Sequence, residues 1–183
     1  MILNSRNDLF DFRFPRTFVP EEIAKKYEPY LNRIPGNLFE NAIDFINYGI
    51  QGINIPAMGF EPVEQSDNPG RTRYFRGRSP MNKTFDKQFT VTMQLMDGYI
   101  NYWMMTDLLL YYHHGTTKQK HLDNLSLNIS DAEGIIMTSI SFEQPIMNQM
   151  SELTLNMAEN VADFSTFDVN FYYNRFVIKI RPD

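Results

Sequence analysis

Between Gln88 and Leu95 every second residue is apolar: Phe89, Val91, Met93 and Leu95 alternate with Gln88, Thr90, Thr92 and Gln94. A period of two predicts a half-buried β-strand. After Asp97-Gly98 the period changes. Ile100, Trp103, Met104, Leu108 and Tyr111 recur at helical spacing. That spacing predicts a helix from about 98 to 112, capped by Asp97 and burying those five side chains. His113-His114-Gly115 suits its exit, with imidazoles near the negative helix end and glycine beyond.

Alternation returns downstream. Leu125, Leu127 and Ile129 face one way, and Asn124, Ser126 and Asn128 the other. Asp131-Ala132-Glu133-Gly134 then reads as a hairpin turn. GIIMTSISF (134–142) returns until Pro145 interrupts, and SELTLNM (151–157) predicts a further strand. TFDVNFYYN (166–174) predicts another, with Phe167, Val169, Phe171 and Tyr173 on one face. Upstream, NLFENAIDFINYGIQ (37–51) has helical spacing at Leu38, Phe39, Ala42, Ile43 and Ile46, with Asn37 as a cap. A hairpin is the alternative there, because 47–52 is poor helix material. INIPAMGF (53–60) reads as a strand.

Residues 1–36 differ in character. Prolines at 15, 20, 29 and 35 leave room for one helix, from about Glu21 to Tyr30, with Pro20 and two glutamates at its first turn. Phe10, Phe12, Phe14 and Phe18 are too many aromatics for a solvated tail; they fit an arm folded on its own core or packed on a neighbour. Residues 61–85 form a long irregular stretch with turns at Asp67–Gly70 and Ser79-Pro80. The pattern divides the chain into a proline-rich arm (1–36), a β domain (37–175) and a C-terminal tail (176–183). The expected fold is mainly β: an antiparallel sandwich or part-barrel with one packed α-helix, a long inter-strand loop and an N-terminal arm.

Composition narrows the chemistry. Among 183 residues there is no cysteine, so disulfides and thiolate sites are excluded. The three histidines are His113, His114 and His121, and adjacent histidines on a helix point about 100° apart and do not chelate together. No glycine-rich phosphate loop or nucleophile elbow is present. No catalytic residue, cofactor site or metal site is expected, and no membrane insertion.

Two features invite a binding role. Arg71, Arg73, Arg76 and Arg78 surround Tyr74 and Phe75 in the long loop. Such a cluster can be solvated, can grip nucleic acid, or can clamp acidic patches of another copy; the net charge of −5 favours the clamp. Second, the outward strand positions Gln88, Thr90, Thr92, Gln94, Asn124, Ser126, Asn128, Asp168 and Asn170 carry almost no cations. That face suits plain solvent, or a wet passage to which phosphate does not stick.

The order of NLF (37–39), IPAMG (55–59), TFDKQFTVTM (84–93), GYINYWMMTDLL (98–109), GIIMTSISFEQPIMNQMSELTLNM (134–157) and TFDVNFYYN (166–174) resembles the tail-tube proteins of contractile-tailed bacteriophages. The resemblance implies a structural virion protein, assembled in the host cytoplasm, whose sheets join edge to edge into a six-fold ring, a hexamer. Rings would stack into a tube that conducts DNA, meeting sheath, baseplate or terminator proteins. The loop arginines would contact the next ring, and the outward polar positions would line the lumen. A tube-end ring of the same fold is the near alternative; a β-sandwich binding module and a nucleic-acid-binding domain belong to other classes.

Overall fold

The computed structural model describes residues 8–34, 36, 38–55, 87–114, 121–153 and 165–180, and the backbone of 63–66 and 72–75. Among them the chain is mainly β, with two four-stranded antiparallel sheets and one main helix. Sheet I has the order β1 (Phe10–Arg13), β6 (Leu125–Ser130), β7 (Ile136–Glu143), β10 (Arg175–Ile180). Sheet II has the order β2 (Ile50–Asn54), β5 (Gln88–Gln94), β9 (Thr166–Tyr172), β8 (Ile146–Met150). β3 (Val63–Ser66) and β4 (Thr72–Phe75) form a separate antiparallel pair. Helices are α1 (Glu21–Leu31), α2 (Ala42–Tyr48) and α3 (Ile100–His113).

The alternating strands bury the side chains their period assigns. Phe89, Val91 and Met93 of β5 lie opposite Phe171, Val169 and Phe167 of β9, all buried. Phe89 joins the two sheets: its ring stacks on Phe171 beside it (centroids 5.2 Å) and on Phe142 of sheet I (4.2 Å). Leu125, Leu127, Ile140 and Phe142 complete the facing layer. The turn between β6 and β7 closes on Asp131, whose Oδ1 accepts from the backbone N–H groups of Glu133 and Ile135, each at 2.9 Å. Gly134 supplies the left-handed residue that this turn needs (φ 84°).

The arm belongs to its own core. β1 pairs with β6, and Phe12, Phe14 and Phe18 are buried. Phe14 stacks on Phe18 at 4.2 Å and reaches Phe171 at 5.8 Å. α1 buries Ile23, Tyr27 and Leu31, one side chain per turn, and runs two residues past Pro29.

Several expectations need correction. The helix expected from 37 starts only at Ala42, and Leu38 is exposed; Asn37 lies outside the described residues. The next strand begins at Ile50 rather than Ile53, because Gly49 ends α2 and the ladder with β5 breaks register between Ile50 and Gly52. The stretch 61–85 contains the β3–β4 hairpin. Asp97 does not cap α3: the chain enters through a 3₁₀ turn, Asp97–Tyr99, with Gly98 and Tyr99 both left-handed. The buried face of α3 is Asn101, Met104, Met105 and Leu108, while Trp103 stands half exposed and Ile100 and Tyr111 are partly buried. The strand β8 is Ile146–Met150, and Ser151–Leu153, expected to open the next strand, are not in one; residues 154–164 lie outside the described residues. Residues expected as a tail supply β10.

Candidate functional site

The positions expected to line a passage fall into two sets. Gln88, Thr90, Thr92 and Gln94 on β5 lie opposite Tyr172, Asn170, Asp168 and Thr166 on β9 and share the outer face of sheet II. They form a side-chain ladder: Thr90 Oγ1 donates to Asn170 Oδ1 and Thr92 Oγ1 to Asp168 Oδ1, both at 2.7 Å. Gln51 Nε2 extends it to Gln94 Oε1 at 3.1 Å. Asp168 is the one charged group in this ladder.

Ser126 and Asn128 occupy the outer face of sheet I. Asn128 Oδ1 accepts from Ser139 Oγ at 2.8 Å. Asn124 sits before β6 and accepts from Gln144 N at 3.1 Å, holding the β7–β8 link. Because the two inner faces meet through Phe89 and Phe142, the two polar outer faces lie on opposite sides of the sandwich. A single passage takes one set or the other.

Of the loop arginines, Arg73 falls in β4, its backbone paired with Gln65; Arg71, Arg76 and Arg78 lie outside the described residues. Among the described residues no three His, Asp or Glu side chains converge to hold a metal ion, and no helix is long and apolar enough to cross a membrane.

The sheet edges differ from one another. In sheet II both edge strands carry a register break, β2 between Ile50 and Gly52 and β8 between Met147 and Gln149. α3 packs against β8: His113 Nε2 lies 2.7 Å from Met147 O, and Tyr102 OH donates to Ser151 O at 3.2 Å. In sheet I the edges β1 and β10 pair without a break. β10 leaves Ile178 48% and Ile180 73% exposed, although their register sets them on the core side of the sheet. Beside β1 runs a groove of about 590 Å³ whose lining includes Asp8, Asp11, Phe12, Asn47 and Gln51. An apolar groove of about 580 Å³ lies on another face of α2, among Tyr30, Leu38, Phe45, Tyr48 and Met96.

Polar side chains that the periodicity did not single out fix this frame. Asn47 of α2 bonds both backbone groups of Phe14. Fully buried Asn101 donates to Gln94 O (2.6 Å) and accepts from Met96 N (3.1 Å), tying α3 to the end of β5. Asp107 Oδ2 accepts from Lys26 Nζ (2.5 Å) and Tyr27 OH (2.6 Å), tying α3 to α1. Burial pushes the Asp107 carboxyl up, but the hydrogen bonds from Lys26 and Tyr27 and the Lys26 charge outweigh it and hold it below the usual range. Burial, then the same carboxylate, pushes the Tyr27 phenol well up. Tyr112, bonded to Phe18 O at 2.9 Å, is pushed up to about 12 by burial, with Tyr111 and Asp123 adding to it.

No protein-family model and no curated protein sequence matches the chain. Among solved structures it is similar to the tube-terminating cap of the anti-feeding prophage: 9% identity, TM-score 0.47, over 72% of this chain and 80% of that one. It is similar to the PVC sheath/tube terminator of an extracellular contractile injection system, at 10% identity and TM-score 0.47, over 71% and 84%. It is also similar to Hcp protein, at 11% identity and TM-score 0.44, over 93% and 91%.

Proposed function

We propose that the chain is a structural ring subunit of a contractile-type tail tube, acting by geometry rather than by catalysis. One observation carries this reading: among the described residues each of the two sheets has four strands, all antiparallel. With an even number, the last strand of one copy and the first of the next run in opposite directions. A sheet can therefore continue from copy to copy as one antiparallel ladder and close on itself, which removes its exposed edges. Head-to-tail contacts that close in this way make rings, and large barrels enclose an aqueous channel.

The motif order read from the sequence supports the same role. In this reading six copies form the ring, rings stack through the β3–β4 hairpin and its neighbouring arginines, and DNA passes along the axis of a virion tail assembled in the host cytoplasm. Sheath, baseplate or terminator proteins are its other partners. The sheet that closes the ring lines the passage, turning inward either the Gln88, Thr90, Thr92, Gln94, Asp168 and Asn170 face or the Asn124, Ser126 and Asn128 face. The sheet II set offers phosphate no cation, while on the sheet I face Arg13 and Arg175 stand beside Asp11 and Glu143, and Lys179 is a further cation.

The test is electron microscopy of the purified protein across a concentration series, with mass photometry alongside. Hollow tubes of stacked rings are expected, and their end views give the symmetry. Single rings that never stack would assign the chain to a tube end. A monomer at every concentration overturns the self-assembling ring.

A further inference from the structure

We propose that sheet I is the one that runs between copies: β10 of one chain enters the groove beside β1 of the next and pairs with it antiparallel, Phe12 opposite Ile178 and Asp11 opposite Lys179. The occupant is a second copy of this chain, so the proposal rests on the ring reading and specifies its contact.

The open backbone groups identify the slot. In an antiparallel ladder, alternate residues turn their N–H and C=O to the partner and the others turn away. Leu9 O accepts from Ser130 N at 3.0 Å, and Phe14 turns both its groups to Asn47. Leu9, Asp11 and Arg13 therefore face β6, and Phe10 and Phe12 present their backbone groups to the groove. Asn47 closes the slot after Phe12. The same alternation carried through β6 and β7 leaves Phe176, Ile178 and Ile180 facing the open side of β10.

The two edges fit in phase. With Phe12 opposite Ile178, Phe10 falls opposite Ile180, and both pairs join residues whose backbone groups have no strand partner among the described residues. Asp11 then meets Lys179 in the intervening closer position, where opposite charges on neighbouring strands stabilise pairing. Asp11 already holds Arg13 at 2.9 Å on the exposed surface and has a second oxygen to offer. The exposed, core-side Ile178 and Ile180 would extend the row of Phe10 and Phe12. The charges fit as well: the groove lining holds Asp8 and Asp11 beside Arg13, and β10 brings Lys179 opposite Asp11.

Sheet II lacks these features. Irregular, register-broken edge strands are a common protection against edge pairing, and both of its edges break register. One backbone acceptor on β8 is already taken by His113. An unbulged, apolar edge such as β10 invites strand addition instead.

Because the chain has no cysteine, the register can be read by cross-linking. Asp11→Cys and Lys179→Cys chains are mixed and oxidised, beside an Asp11→Cys and Arg175→Cys mixture four residues out of register. A disulfide-linked dimer from the first mixture, at least tenfold above the second, is expected. In a second arm, Asp11→Lys lowers self-association and the added Lys179→Asp restores it. All three positions are exposed, so circular dichroism should report wild-type folding. Rings in the microscope without an 11–179 bridge, or equal bridging at 175, overturn the proposal and leave the ring function standing. An 11–179 bridge in open chains without rings does the reverse. A monomer with no bridge overturns both.

Discussion

The side chain of Asn47 serves Phe14 as a strand would: Phe14 N donates to Asn47 Oδ1 at 2.8 Å, and Asn47 Nδ2 donates to Phe14 O at 3.2 Å. This pair ends the free edge of β1 and ties the arm to α2. Asn47→Ala leaves both backbone groups without a partner in a partly buried place. A loss of about 1–3 kcal/mol is expected, read as a lower urea midpoint with unchanged slope. Asn47→Asp keeps the acceptor but sets a carboxylate against Phe14 O, so it should not restore stability. Wild-type stability in Asn47→Ala would show that the clasp contributes nothing.

Phe89 carries more. Its ring is 1% exposed and stacks on both Phe142 and Phe171, so one side chain couples the two sheets. Phe89→Ala should cost about 3–5 kcal/mol, and Phe89→Leu clearly less, since much of the volume is kept. Thermal melts of the two variants give the order directly. Equal losses would mean that ring stacking, rather than filled volume, dominates at this position.

The contrast between these residues explains what the sequence made legible. Phe89, Leu125 and Phe167 belong to strands with one covered face, where a period of two follows from geometry. Asn47 and Phe14 are 33 positions apart, and Tyr27 and Asp107 are 80 apart, so no local pattern announces either contact. α3 misled for another reason: it is apolar around much of its circumference, and spacing alone does not choose Met105 over Trp103. β8 hides its alternation behind the register break at Asn148. β10 did carry a signal, Phe176, Ile178 and Ile180 at every second position, in six residues beside the chain end.

The joint between α1 and α3 should respond to pH at both extremes. The Asp107 carboxyl is held below its usual 3.8, so its contribution is present above about pH 4 and disappears as pH falls through the lower folded value. Tyr27 is raised above its usual 10.0, so its contribution is present below pH 10 and falls as pH rises beyond it. Melting temperatures of wild type and Asp107→Asn should therefore differ at pH 6 and converge as pH falls below about 4. Tyr27→Phe should flatten the alkaline limb. A pH-independent gap between wild type and Asp107→Asn would mean that packing, not the carboxylate charge, holds the joint. Because Lys26 is 61% exposed, salt should reduce its share of the effect.

Folding and ring stacking separate at the loop arginines. Arg73 lies on β4, which among the described residues pairs with β3, apart from both four-stranded sheets. Arg71, Arg76 and Arg78 flank that hairpin in sequence. If the hairpin meets the next ring, reversing all four charges to glutamate changes the contact by eight units of charge per subunit while substituting none of the buried core side chains. Such a variant should fold with a wild-type melt, form single rings, and fail to lengthen into tubes. Electron microscopy and light scattering at matched concentrations decide it. Tubes of normal length from the fully reversed variant would remove the arginines from the stacking contact, while a variant that no longer closes rings would place them between neighbours within a ring.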